Sequence, residues 1–151
     1  MSDSIKVLFV CIHNAARSRM AEELLRSLGG PRFEVTSAGY EPHEVNPLVV
    51  EALHLTGLSV AQPGPQPSVF DLFKAGKMFA YVIGVCDEEH EQKCPLFPGV
   101  TTRLSWSFPD PSTFTGSHRE RLARVVEVRE AIRERIETWI GTLDITPTPV
   151  M

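Results

Sequence analysis

The sequence predicts an α/β fold of three layers, α/β/α, in which a four-stranded parallel sheet lies between helices. Short apolar runs rich in branched residues alternate along the chain with longer amphipathic segments. Such runs are typical of strands that are buried on both faces. Their alternation with helices favours a parallel sheet covered on both sides. The 151 residues, 42% of them hydrophobic, are enough for one domain with its own core.

The first half of the chain contains two predicted strands with a helix between them. The strands are the apolar runs Ile5–Cys11 and Phe33–Gly39. The helix is predicted to end at Gly29 and Gly30, because glycine is common just past a helix end. Its apolar face repeats every three or four residues and comprises Met20, Ala21, Leu24, Leu25 and Leu28.

A second helix is predicted to begin at Asn46 and Pro47, since asparagine is a favoured N-cap and proline is favoured in the first turn. It is expected to stop near Gly57 and to carry Val50, Leu53 and Leu55. The stretch "QPGPQP", residues 62–67, is interpreted as a stiff loop within one domain. Splitting the chain there would leave each piece with only part of the sheet.

The second half of the chain supplies the remaining strands and a long helix. Ala80–Cys86 reads as an apolar strand and Val100–Ser105 as a weaker one. Ser117 and Glu120 form a capping box that starts the helix. Its inward face is predicted to comprise Leu122, Val125, Val128, Ile132, Ile136 and Trp139. We expect residues 1–142 to form a single domain and residues 143–151 to be a disordered tail.

The composition restricts the partners that the protein can have. The formal net charge is −4 and no basic run is present, which argues against a nucleic-acid or an anionic-membrane partner. No segment approaches the roughly 20 apolar residues of a membrane-spanning helix, and the N-terminus lacks a basic leader. We therefore expect a cytoplasmic protein. Its three cysteines are expected to be free thiols used for catalysis, metal binding or packing.

The most informative segment is "CIHNAARS", which follows the first predicted strand. Ligands of open α/β sheets bind beyond the carboxyl ends of the strands, and a helix N-terminus there offers unpaired N–H groups to an anion. The loop between Cys11 and Arg17 can curl so that its N–H groups converge on one point. The predicted oxyanion-binding residues are Ile12, His13, Asn14, Ala15, Ala16 and Arg17.

Each polar residue of this segment has a chemical role in such a site. The field of the loop and of Arg17 would keep Cys11 a thiolate at neutral pH. The planar guanidinium of Arg17 can hold two oxygens of a tetrahedral anion. Ser18 can donate a hydrogen bond to the thiolate, and Asn14 can fix the curvature of the loop. The alternative is that Cys11 is a packed strand end and Arg17 a solvated helix residue.

The motif Cys-x5-Arg-Ser after the first strand resembles the low-molecular-weight protein tyrosine phosphatases. The longer segment "CIHNAARSRMAE" is more similar to their relatives, the thioredoxin-coupled arsenate reductases. The resemblance continues through "TSAGYEPHEVNPLVVEAL", the pair Cys86 and Cys94, and "WSFPDP". It implies a low-molecular-weight-phosphatase-like fold over nearly the whole chain.

The resemblance also implies a general acid and a relay of thiols. Asp110, in an Asp-Pro pair, would protonate the oxygen that leaves the oxyanion. Cys11 would attack arsenate, Cys86 would attack Cys11 to form a disulfide, and Cys94 would then attack Cys86. Thioredoxin would reduce the Cys86–Cys94 disulfide, with glutaredoxin or mycothiol as alternative reductants. Weak phosphatase activity is expected beside the reductase activity, because the same loop performs both first steps.

Several alternatives stay open at this point. A small protein tyrosine phosphatase would need only Cys11, Arg17 and Asp110, and Asp110 alone could simply begin a turn. A non-catalytic oxyanion or redox sensor would keep the same loop. Trp106 and Phe108 fit either a pocket wall or the core. A zinc site, for which we find no convincing fourth ligand, would use Cys86, His90 and Cys94.

The chain departs from the family pattern at a few positions. Seven residues, not six, separate Cys86 from Cys94, and His13 stands where a glycine is often found. His43 is interpreted as a loop residue and not as a ligand. No cofactor is expected. Some family members bind potassium through an aspartate and three further positions. Here the aspartate aligns near Ser68, which argues against potassium, although the other positions match Asn14, Glu22 and Ser37.

Overall fold

A computed structural model describes residues 4–60, 64–85, 97, 99 and 101–143. Its sheet has four parallel strands in the order β2-β1-β3-β4, which confirms the predicted architecture. The strands are β1 (Ile5–Cys11), β2 (Phe33–Gly39), β3 (Tyr81–Gly84) and β4 (Thr102–Ser105). The first two have the predicted bounds. The other two are shorter than predicted, and of their expected ends Cys86 and Val100 lie outside the described residues.

The strand register brings the carboxyl ends of three strands to one edge of the sheet. Cys11, at the end of β1, pairs with Gly39 at the end of β2. On the other side of β1, Val10 pairs with Gly84, the last residue of β3. Parallel sheets place their ligand sites at this edge, so the fold puts Cys11 where a substrate can reach it.

Helices cover both faces of this sheet. They are α1 (Arg17–Gly29), α2 (Pro47–His54), α3 (Val69–Lys74) and α4 (His118–Thr142), with short 3-10 turns at Gly30–Arg32 and Pro111–Thr113. Val7 and Phe9 of β1 belong to a core shared with α1, α2 and α4, whereas Leu8 and Val10 face a core shared with α3. Alternate residues of one strand therefore serve two cores. None of the described helices is long and apolar enough to cross a membrane.

Single residues explain where α1 ends and where α2 begins. α1 stops at the predicted glycines, where Gly30 adopts a φ of 62° that favours glycine. At the start of α2 the side chain of Asn46 accepts a hydrogen bond from the amide of Leu48 at 2.9 Å, as expected of an N-cap. The predicted apolar face of α2 is partly wrong, because the helix ends at His54 and leaves Leu55 68% exposed.

The sequence reading missed α3, which has only six residues. A capping box begins it: Ser68 Oγ accepts from the amide of Asp71, and the Asp71 carboxylate accepts from the amide of Ser68, both at 3.1 Å. Val69 and Leu72 are its buried side chains. The Ser-x-x-Asp spacing was the available signal for this helix.

The long helix α4 seals the core on the face that carries α1 and α2. The predicted capping box is present, and hydrogen bonds from Ser117 hold the pKa of Glu120 below its usual value. Of the predicted inward residues, Leu122 is only partly buried, while the others are buried: Val125, Val128, Ile132, Ile136 and Trp139. Arg129 donates from Nη1 to the carbonyl of Ala52 at 2.6 Å, which ties α4 to α2.

Candidate active site

The loop that joins β1 to α1 turns its carbonyl groups outward. The carbonyl oxygens of Ile12, His13 and Ala15 accept hydrogen bonds from backbone amides of the segment 41–46 at 2.8–2.9 Å, and that of Ala16 accepts from the first turn of α1. Within the described ranges, the N–H groups of residues 13–16 enter no such backbone hydrogen bond. A loop whose carbonyls are all engaged on the outside leaves its N–H groups for an anion on the inside.

Asn14 holds the sharpest part of this loop. Its φ of 52° is the one positive value that the structure describes at a residue other than glycine, and asparagine tolerates this conformation better than most residues. The side chain is fully buried. Its Nδ2 donates to Ser18 Oγ at 2.7 Å and to Ser37 Oγ at 2.9 Å. These two bonds tie the loop to α1 and to β2.

The side chain of Arg19 holds the loop in place through hydrogen bonds to backbone carbonyls. Its side chain is 1% exposed, and Nε donates to the carbonyl of Asn14 at 2.9 Å. A second bond, from Nη2, reaches the carbonyl of Gly64. Burial holds the pKa of Arg19 below its usual value, and the carboxylates of Glu22 and Glu23 offset only part of this effect. A buried arginine with these partners is a positioning residue for the loop.

Gly39 permits the close approach of β2 to the loop. A Cβ at this position would lie 2.8 Å from the carbonyl oxygen of Ile12 and 2.9 Å from the amide nitrogen of Asn14. Both atoms belong to the backbone of the anion loop, so a side chain would have to displace it. The absence of a side chain at the end of a strand is the sequence signal for such an approach.

Cys11 lies at the bottom of a small pocket inside the curve of the loop. The residue is 3% exposed, and the cavity has a volume of about 40 Å³. A single water needs roughly 10–15 Å³ by the same measure, so the space suits a small oxyanion. Its lining comprises Cys11, Ile12, His13, Ala15, Ala16, Arg17, Asn46, Asp110 and Ser112. Asn46 and Ser112 were not predicted as pocket residues.

Arg17 is buried beside the pocket with part of its guanidinium unused. Nη1 donates to the carbonyl of Phe108 at 3.1 Å, and Nη2 lies 3.6 Å from Asp110 Oδ2. Nε is buried and has no hydrogen-bond partner among the residues that the structure describes. A buried, unpaired donor costs stability, and a ligand with an oxygen in the pocket would satisfy it. This arrangement contradicts the reading of Arg17 as a solvated helix residue.

Asp110 both caps a turn and faces the pocket. Its Oδ1 accepts from the amide of Ser112 at 2.9 Å and from the Ser112 hydroxyl at 2.8 Å. Its Oδ2 remains on the side of Arg17. The side chain is 37% exposed, so solvent reaches it. Asp110 can therefore begin the turn with Oδ1 and face the pocket with Oδ2, so its two predicted roles do not exclude each other.

The remaining predicted residues divide between the site, the core and the undescribed part of the chain. Ser18 is fully buried and accepts from Asn14, which leaves its own hydroxyl hydrogen to donate. Trp106 belongs to the core, where the centroid of its ring lies 6.0 Å from that of Phe9. Cys86 and Cys94 lie outside the described residues.

Three of the residues that match the family's potassium ligands, Asn14, Glu22 and Ser37, lie together behind the loop. Asn14 Nδ2 donates to Ser37 Oγ, while its buried Oδ1 has no hydrogen-bond partner among the described residues. The Ser37 hydroxyl is within hydrogen-bond distance of Glu22 Oε1 and of Gln66 Oε1, and its one hydrogen can be donated to only one of these two acceptors at a time. Ser68 is occupied as the cap of α3, and Gln66 takes the fourth place in the cluster.

The fold and this loop define a phosphatase-like oxyanion site, and comparison with known proteins agrees. Residues 6–146 match the low molecular weight phosphotyrosine protein phosphatase family, and the chain belongs to that family.

Within the family, the chain is similar to proteins named arsenate reductases. It is 32% identical over 136 residues to the arsenate reductase of Shouchella clausii, covering 90% of this chain and 95% of that protein. It is 29% identical to a solved thioredoxin-dependent arsenate reductase of Corynebacterium glutamicum, with a TM-score of 0.61 and 92% of this chain covered. The chain spans 65% of the length of that protein. The arsenate reductase of Archaeoglobus fulgidus gives 29% identity and a TM-score of 0.60, with 87% and 98% of the two chains covered.

Proposed function

We propose that this protein is an arsenate reductase that converts arsenate to arsenite with Cys11 as nucleophile. The observation that carries the proposal is the buried thiol beneath a loop of inward N–H groups, beside an arginine whose Nε lacks a partner. Arsenate is a tetrahedral oxyanion of the size and charge that such a loop accommodates. The Shouchella clausii relative, which matches 90% of the chain, is named an arsenate reductase.

In the first step the Cys11 thiolate attacks the arsenic atom, and one oxygen of arsenate leaves as water. The N–H groups of residues 13–16 and the guanidinium of Arg17 stabilise the negative charge on the other oxygens. Asp110 supplies the proton to the departing oxygen, a role supported by its place opposite Arg17 at the pocket. Ser18 donates its free hydroxyl hydrogen to the Cys11 sulfur.

In the second step the Cys86 thiolate attacks the Cys11 sulfur, so that a Cys11–Cys86 disulfide forms and arsenic leaves as arsenite with two electrons. Described residues next to Cys86 support this step. The amide of Val85, one residue before Cys86, donates to the carbonyl of Val10, one residue before Cys11, at 3.0 Å. Cys94 then attacks Cys86, which transfers the disulfide to Cys86–Cys94 and restores the Cys11 thiol.

The proposed external reductant is thioredoxin, as in the name of the Corynebacterium glutamicum relative. Its dithiol would reduce the Cys86–Cys94 disulfide and become oxidised itself. The proposed reaction uses no resident cofactor, and the protein is assigned no nucleic-acid or membrane partner. A cytoplasmic location fits this chemistry, because that compartment supplies reduced thiols.

Phosphatase activity is the second candidate, and the family itself favours it. A phosphate monoester would bind the same loop, and Cys11, Arg17 and Asp110 would suffice for its hydrolysis. Weak cleavage of aryl phosphates is expected beside arsenate reduction. Such cleavage does not separate the two functions, whereas arsenate-dependent consumption of reducing equivalents does.

The test is arsenate-dependent oxidation of NADPH in the presence of thioredoxin and thioredoxin reductase. We expect sustained turnover by the wild type and none by Cys86→Ser. The reductase proposal fails if the wild type cleaves aryl phosphates well but consumes no NADPH with arsenate. Exchanging thioredoxin for glutaredoxin or mycothiol systems identifies the reductant.

The order of the thiols is tested by Cys94→Ser. This variant should release one arsenite per chain and stop, with Cys11 and Cys86 joined in a disulfide that peptide mapping detects. Multiple turnovers of Cys94→Ser with thioredoxin would rule out the proposed relay.

A further inference from the structure

A cluster of metal-ligating side chains lies at the rim of the pocket, outside the proposed chemistry. It consists of His13, Glu41 and His43, whose ligand atoms all lie within 4.8 Å of one another. His13 Nε2 is 3.8 Å from Glu41 Oε1, and the imidazole rings of His13 and His43 have centroids 4.3 Å apart and are tilted by 36°. His13 also lines the pocket above Cys11.

We propose that His13, Glu41 and His43 form a binding site for a divalent transition-metal ion, with Zn²⁺ the best fit. Two imidazoles and one carboxylate are a ligand set that zinc takes in open sites, with water in the fourth position. Imidazole nitrogen also distinguishes such an ion from Mg²⁺ or Ca²⁺, which prefer oxygen ligands.

The backbone brings the three side chains together before any metal binds. The amide of Glu41 donates to the carbonyl of Ile12, and the amide of His43 donates to the carbonyl of His13, both at 2.9 Å. These two bonds hold the segment after β2 against the anion loop. The three ligands therefore come from two loop segments whose backbones are fixed relative to each other. A preorganised backbone lowers the entropy cost of binding.

The ligand side chains must move closer together to bind zinc. Zinc bonds of about 2.0–2.1 Å require ligand atoms roughly 3.3 Å apart in a tetrahedron. The present spacing is wider, but the His13 and Glu41 side chains are 47% and 74% exposed. Side chains this exposed have room to rotate toward a shared metal position.

The sequence alone gave no reason to connect these residues. From the sequence, His43 is interpreted as a loop residue without a ligand role, and His13 is predicted as an oxyanion-binding residue at the place of a frequent glycine. The loop contact with segment 41–46 is what places them side by side. A bound dication would add positive charge next to the oxyanion pocket, because His13 belongs to both.

The test is a titration of the full chain with Zn²⁺ alone, in which isothermal titration calorimetry measures the stoichiometry and the affinity. The protein carries no histidine tag, and Cys11, Cys86 and Cys94 are replaced by serine so that no thiol binds the metal. We expect one Zn²⁺ per chain and an affinity at least tenfold weaker in His43→Ala and in Glu41→Gln. The matched control is His54→Ala, an exposed histidine outside the cluster, which should bind like the parent.

Absence of Zn²⁺ binding, or a loss smaller than tenfold in His43→Ala, would overturn the proposal. If the triple serine variant does not fold, the wild type with alkylated thiols replaces it. Proton NMR of the histidine rings then gives the result. The His13 and His43 signals should move with Zn²⁺ and those of His54 and His118 should not, and movement of all four alike overturns the site. None of these readouts requires turnover, so a failure of the metal site can be distinguished from a failure of the arsenate reductase proposal.

Discussion

At residues 12–16, five successive carbonyl groups are each bound on the outside of the loop, by the segment 41–46, by Arg19 and by the first turn of α1. The sequence predicted the loop, its cysteine and its arginine, because their spacing follows from strand and helix signals. It did not predict Arg19 or Gly39 as parts of the site. Their importance depends on which backbone atoms they approach, and only the folded chain determines that.

Arg17→Lys tests the role of the guanidinium. A lysine keeps the positive charge but lacks the planar fork, and it cannot reproduce both the bond to Phe108 and a paired contact to an oxyanion. We expect kcat for arsenate reduction to fall about 10²–10³-fold, the range seen when one preorganised donor is lost. Arg32→Lys, at a residue away from the pocket, is the control. Near-normal kcat in Arg17→Lys would contradict the assignment.

At the scale of elements, the long and strongly patterned segments were predicted best. β1 and β2 have the expected bounds, and α4 begins at its capping box. α3 was missed because six residues give too little periodicity to recognise. The predicted face of α2 was wrong at Leu55, since the helix ends one residue earlier and the chain there turns into solvent.

Gly39→Ala tests the contact between β2 and the anion loop. The added methyl group would press on the backbone at Ile12 and Asn14, and the loop must move because neither atom belongs to a flexible side chain. We expect at least a tenfold weaker affinity for phosphate in calorimetry, with the protein still folded. Gly141→Ala, where a Cβ would meet nothing within 4 Å, is the matched control. Equal phosphate affinity in both variants would show that the close approach does not matter.

At the scale of the whole molecule, two cores on opposite faces of one sheet hold the carboxyl edge in place. The larger core joins β1 to α1, α2 and α4. Its composition was predictable, because apolar residues at strand and helix periods identify the buried faces. The pocket was predictable only as a location, since its volume and its unpaired Arg17 Nε depend on contacts between segments distant in sequence.

Ile132 is the position at which we test the larger core. Its side chain is fully buried on α4. Ile132→Ala should lower the free energy of unfolding by about 2–5 kcal/mol, and Ile132→Val by about 0.5–1.5 kcal/mol. Urea denaturation followed by circular dichroism measures both. Unchanged midpoints would mean that α4 does not seal the core as described.

The central claim is that the Cys11 loop binds arsenate and passes two electrons to it from the thiols of this chain. The most direct measurement is a single turnover without thioredoxin, in which fully reduced protein is mixed with excess arsenate and arsenite and free thiols are counted. We predict one arsenite and the loss of two thiols per chain for the wild type, and no arsenite for Cys11→Ser. Hydrolysis of an aryl phosphate by the same wild-type sample, with no arsenite formed and all three thiols intact, would contradict the account.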